Sequence, residues 1–210
     1  MAGNTRPSPL KQLAQAISLL LVLPWAAVAL FGRFRIGYDL GAHSLALAPG
    51  VIGDYLRIAY YRLTLRECSL FSRISFGSFF VHPETRIAHS VYIGSNSILG
   101  KCSIGARTQI ASAVQILSGR HQHARDQSGQ IGGSETGRVV EVRIGSDCWI
   151  GAAAIVMADV GDGSTVGAGS VVTKPVPPGV VVAGNPARIL RPATGQPADG
   201  DQRTMVAPQE

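Results

Sequence analysis

Aliphatic residues return every six positions over much of this chain, a spacing that matches neither common period. From Val81 the units read "VHPETR", "IAHSVY", "IGSNS", "ILGKCS", "IGARTQ" and "IASAVQ". After a gap they resume as "IGSDCW", "IGAAAI", "VGDGST", "VGAGSV" and "VTKPVP". A helix repeats its apolar face about every 3.6 residues and a strand every two. Period six suits a short strand followed by a tight corner, with the aliphatic side chain turned inward. Three such units close a triangular coil, and coils stack at about the inter-strand spacing of ~4.8 Å. The Gly, Ala or Ser after each aliphatic residue leaves room where the backbone turns. Eleven units obey the rule with two single-residue shortenings, at 93 to 98 and at 155 to 160. A Gly-rich antiparallel sheet would match so long a run only by coincidence. The expected fold is mainly β, a parallel β-helix over residues 81–191.

Two stretches break the rhythm. "QILSGRHQHARDQSGQIGG", residues 115–133, is poor in apolar residues and holds two of the five histidines, which marks a loop over 117–143 as a candidate for chemistry. At the other extreme, "QLAQAISLLLVLPWAAVALFG" runs for 21 positions without a charge, from Gln12 to Gly32. As a helix it would span roughly 30 Å, about one hydrocarbon core. Pro24 would kink it, and Arg6, Lys11, Arg33 and Arg35 flank both ends. Residues 12–36 therefore read as a membrane-associating segment, re-entrant with both ends in the cytoplasm. A buried core helix competes, as does a secreted leader, because "AVA" at 27–29 imitates a cleavage site. Residues 37–80 read as an amphipathic helical cap in which Leu56, Ile58, Ala59, Tyr60 and Leu63 alternate with Arg57, Arg62 and Arg66. Such a face suits a headgroup interface or the end of a solenoid. Residues 1–11 form a flexible basic start, and 192–210 a disordered tail without apolar rhythm.

Composition narrows the partners. The 210 residues carry a net charge of +6 with 25 glycines. No basic run interleaves with aromatics, so nucleic acid is not expected. Cys68, Cys102 and Cys148 form no paired spacing, which suits reduced intracellular thiols. A packing role is expected for Cys148.

The repeat units resemble the hexapeptide-repeat acyltransferases, most of all galactoside, maltose and polysaccharide O-acetyltransferases. Two blocks carry the likeness: "IGARTQIASAVQILSGRH", 104–121, and "IGSDCWIGAAAIVMADVGDGSTVGAGSVVTKPVPPGVVVAGNPARIL", 144–190. The resemblance implies a left-handed helix, a homotrimer with active sites between subunits, and acetyl-CoA as cosubstrate, with no metal. It implies that His121 is the general base, with His123 its rival. Neutral imidazole can accept a proton from an attacking hydroxyl near pH 7. Asp126 could orient one of these rings. It further implies that Ala152, Ala168, Thr173, Lys174 and Arg188 contact coenzyme A and that Trp149 borders the acceptor pocket. Small residues admit an extended pantetheine arm, and cations suit its nucleotide phosphates.

Some positions depart from that pattern. Ala152 stands where several relatives have serine, leaving only a backbone N–H for a developing oxyanion. Val91 stands where those enzymes carry a substrate-binding asparagine. The expected activity is acetyl transfer to a saccharide hydroxyl, on a polysaccharide, lipopolysaccharide or lipid-linked precursor at the cytoplasmic side of the membrane. A soluble cytoplasmic enzyme is the other location. Alternatives are a streptogramin- or chloramphenicol-type acetyltransferase, a zinc carbonic anhydrase using His82, His89, His121 and His123, and a non-catalytic β-helix.

Overall fold

The structure, a computed structural model, describes residues 8–119, 125, 128–132 and 138–193. Its body is a parallel β-solenoid of about five turns with three faces. The first face stacks Glu67–Cys68, Arg86–Ile87, Cys102–Ile104 and Val142–Ile144, and single bridges extend it to Val160 and Val176. The second runs from Arg73–Ile74 through Tyr92–Ile93, Gln109–Ile110, Trp149–Ile150 and Thr165–Val166 to Val180–Ala183, where Arg188–Pro192 closes it antiparallel. The third stacks Phe79–Phe80, Ile98–Leu99, Gln115–Ile116, Ile155–Val156 and Val171–Val172. From Cys68 to Val172 each strand buries its last residue, and Val182 continues the column, so the axis is lined mostly by aliphatic side chains.

Corners follow a local rule. After most strands of the first and second faces, the residue three places beyond the inward aliphatic takes a left-handed conformation, as at Asn96, Arg107, Ala113, Asp147 and Ala153. The residue one place after it lies against the next coil. At Gly151 an added Cβ would sit 2.4 Å from the Ala168 nitrogen. Gly151→Ala must therefore push two coils apart, and a loss of about 1–3 kcal/mol is expected from equilibrium urea unfolding.

Three expectations need correction. The solenoid begins at Glu67 rather than Val81, so the expected 37–80 cap contains a full coil led by Cys68, Ile74 and Phe80. Ile98 is outward and Leu99 inward, and Ile155 and Val156 divide the same way. The shortened spacings are therefore 99 to 104 and 156 to 160. Adjacent aliphatics leave the choice open in sequence, and stacking on Ile116 decides it for both. Finally, Arg57 is fully buried instead of forming part of a basic surface.

Three helices close the amino-terminal end: α1 (Pro9–Val28), α2 (Arg35–Ala46) and α3 (Gly50–Thr64). Pro9 opens α1 beside the Ser8 cap, and the helix continues through Pro24. The chain reverses at Leu30–Gly32, all three in left-handed conformations, and not at the proline. α3 lies on the first coil. Phe80 N–H donates to the Tyr61 hydroxyl, Tyr38 Oη donates to Phe80 O at 2.9 Å, and Tyr60 Oη donates to Tyr38 O at 2.8 Å. Arg57 joins the parts. Its Nε donates to Ile74 O of the first coil at 2.9 Å, and its Nη1 reaches Leu45 O at 3.0 Å and Ala48 O at 2.6 Å beyond α2. Its Nη2 meets Asp54 Oδ1 at 2.6 Å.

Candidate active site

One edge of the prism, where the third face turns toward the first, gathers most of the candidate chemistry. Successive coils place Gly100, Leu117, Met157 and Thr173 there. Their ladder is continuous: Gly100 N–H donates to Ile116 O at 2.7 Å, Leu117 N–H to Val156 O at 2.9 Å, and Met157 N–H to Val172 O at 2.9 Å. The interruption in the repeat leaves from this edge. Val140 N–H donates to Ser118 O at 3.0 Å, which draws its two ends together, and Val142–Ile144 rejoins the first face. The expected 117–143 loop is thereby trimmed to an excursion over 119–139. His121, His123 and Asp126 lie outside the described residues.

Two coils beyond Leu117 on the same edge, Thr173 and Lys174 line a hollow of about 360 Å³ with Pro175, Ala187, Arg188 and Ile189. Lys174 and Arg188 pair with no carboxylate among the described residues, and Arg188 Nη1 donates to the neighbouring Ala187 O at 3.1 Å. Two cations that meet no counter-ion among the described residues, beside apolar walls, suit a ligand with an anionic end and a less polar body. The edge also carries His82 and Lys101, each two places after an inward residue of the third face. Burial, then the Arg35 charge, depress the His82 pKa below its usual value. In sequence, His82 stands out only as a candidate metal ligand. Its place on this edge follows from coil register, which adjacent aliphatics obscure.

Ala152 and Ala168 lie elsewhere. They are exposed and stacked one coil apart at the opposite edge of the third face, where Gly169 N–H donates to Ala152 O at 2.8 Å. Residues 169–173, which include the Val171–Val172 strand of the third face, separate Ala168 from Lys174. Trp149 projects from the second face, 60% exposed, between Gln109 and Thr165. A single chain thus unites Thr173, Lys174 and Arg188, but not Ala152, Ala168 or Trp149, with the hollow. Val91 is buried in the core and offers nothing to a ligand. Cys148 is buried too, its Sγ 3.2 Å from Gly161 O, and burial pushes its thiol pKa up. A thiol so held is a packing group and a poor nucleophile.

Stacked hexapeptide coils and a neighbour of the same fold define a left-handed β-helix of hexapeptide repeats. Residues 141–174 match the family model described as the hexapeptide repeat of succinyl-transferase. The chain is 36% identical over 95 residues to WcaF of Escherichia coli K12, named for an acetyltransferase role in colanic acid biosynthesis; the match covers 44% of this chain and 48% of that one. It is 48% identical over 52 residues to the galactoside O-acetyltransferase of the same organism, covering 24% of this chain and 26% of that one. The chain thus matches about half or less of these relatives' length. A solved galactoside acetyltransferase in complex with coenzyme A has a TM-score of 0.58 at 21% identity, over 76% of this chain and 80% of that one. At that identity the likeness is one of fold.

Proposed function

We propose that this chain transfers an acetyl group from acetyl-CoA to a saccharide hydroxyl, with His121 as general base. The observation that carries the reading is the shared edge: Leu117 and Ser118, the described residues just before the excursion, and the Thr173–Lys174–Arg188 hollow follow one another along it. Acetyltransferase names among its relatives, some of them for sugar-acting proteins, support the same chemistry. In this mechanism Lys174 and Arg188 hold the nucleotide phosphates while the pantetheine arm runs toward the excursion. His121 takes the proton of the acceptor hydroxyl as its oxygen attacks the thioester carbonyl. The carbon–sulfur bond then breaks, and the departing thiolate recovers that proton. No acyl group is held on the protein.

Ala152 and Ala168 enter through a second copy. A groove closed by one chain's Ala152–Ala168 edge and a neighbour's Thr173–Lys174 edge unites all five cofactor residues, which is the use this reading makes of a homotrimer. The acceptor is a polysaccharide, lipopolysaccharide or lipid-linked sugar. A small hydroxylated antibiotic is the second reading, favoured by the loss of the sugar-binding asparagine at Val91.

Radiolabelled acetyl-CoA incubated with the protein and fractionated cell glycolipids should move label into a saccharide fraction. Label appearing only on chloramphenicol or a streptogramin would select the second reading, and no transfer to any hydroxyl would overturn both. Lys174→Ala should weaken coenzyme A binding about 10–100-fold by calorimetry, the loss of a charge-assisted phosphate contact. An unchanged affinity would remove Lys174 from the site.

A further inference from the structure

Helix α1 is built inside out. Its buried stripe consists of Gln15, Ser18, Val22 and Ala26, at helical spacing of three and four. Gln15 Nε2 donates to Leu70 O of the first coil at 2.9 Å, and Ser18 Oγ donates to Gln15 O at 2.9 Å. The opposite side carries Leu10, Leu13, Ile17, Leu20, Leu21 and Val28, all 48–77% exposed. A helix on the surface of a water-soluble domain has the reverse arrangement, and so large an apolar face marks a contact surface.

The geometry points to a bilayer as the occupant, with α1 lying in the plane of the interface. Attachment along the whole helix argues against a spanning orientation: Lys11 shares a pocket with Val51 and Asp54 of α3, and Gly32 beyond its far end abuts Thr64. α1 and α3 therefore run side by side, and leaving the protein surface would strip the Gln15 side chain of its Leu70 partner. Charge selects lipid over a second copy. The pocket at the start of α1, about 220 Å³, is lined by Lys11 and Arg73 together with apolar Val51, Ile58 and Leu70. Its one carboxylate, Asp54, is engaged by both Arg57 and Arg73, at 2.6 and 2.7 Å. The cluster keeps a net positive charge beside an apolar face, with Arg33 near the other end of α1 and Arg35 there paired with Asp39. Two copies meeting here would oppose like charges, whereas an anionic headgroup fits them. The inference is independent of the acyl-transfer reading, because it concerns binding without either substrate.

The full-length protein should float with vesicles of phosphatidylcholine and phosphatidylglycerol, and less with phosphatidylcholine alone or at high salt. In a Trp149→Phe background, lipids brominated near the top of the acyl chain should quench Trp25 more than lipids brominated at its end. Leu13→Glu with Leu20→Glu, both at exposed positions, should lower partitioning at least about tenfold. Lys11→Glu should weaken binding about fivefold or more on anionic vesicles only. Strongest quenching by deep bromines would overturn the in-plane orientation. Absence of flotation would overturn the proposal, and so would a Leu13→Glu/Leu20→Glu variant that changes assembly mass in light scattering without changing vesicle binding.

Discussion

Replacing His121 by alanine is expected to lower kcat by ~10²–10⁴-fold, the usual contribution of a positioned general base, while coenzyme A binds as before. The two readouts separate because, in the proposed mechanism, the base serves the acceptor proton and the Thr173–Lys174–Arg188 hollow serves the nucleotide. Only neutral imidazole accepts a proton, so kcat/KM should fall as the medium is made acidic enough to protonate the ring. His121→Ala should abolish that dependence along with most of the rate. His123→Ala should leave turnover within a few-fold. If His123→Ala removes the activity and His121→Ala does not, the base has been misassigned.

The largest loss of stability should come from Arg57. Its guanidinium is wholly buried and binds carbonyls of Leu45, Ala48 and Ile74 as well as the Asp54 carboxylate. Arg57→Met keeps much of the volume but leaves those oxygens without a donor and Asp54 without its buried partner. Breaking a buried pair by removing one member costs about 3–5 kcal/mol. For a chain of this size the melting temperature should drop by roughly 6–20 °C in circular dichroism. Arg57→Lys keeps the charge but cannot reach four acceptors at once, so an intermediate loss is expected. A shift below about 2 °C for Arg57→Met would show that the cap and the first coil do not depend on this residue.

Much of the candidate site was legible because its residues sit in contiguous motifs. "VVTKP" and "GNPARIL" bring Thr173, Lys174 and Arg188 to the final coil, and the structure sets them around one hollow. The separation of Ala152 and Ala168 from that hollow was not legible. Residues one corner apart differ little in sequence position but project from different edges of a triangle. The edge on which His82 sits was not legible for the same reason, since it depends on which aliphatic of each pair turns inward.

The amino acids alone determined the solenoid. A small, tight corner every six residues and a stacking aliphatic are local requirements, and each unit satisfies them with its neighbours. Tertiary structure decided three other things: whether Leu99 or Ile98 faces the axis, whether Arg57 is solvated or enclosed, and which side of α1 looks outward. These depend on contacts between residues far apart in the chain. Helical periodicity marks the two sides of α1, but the hydrogen bond from Gln15 to Leu70, 55 residues away, helps turn the polar side inward.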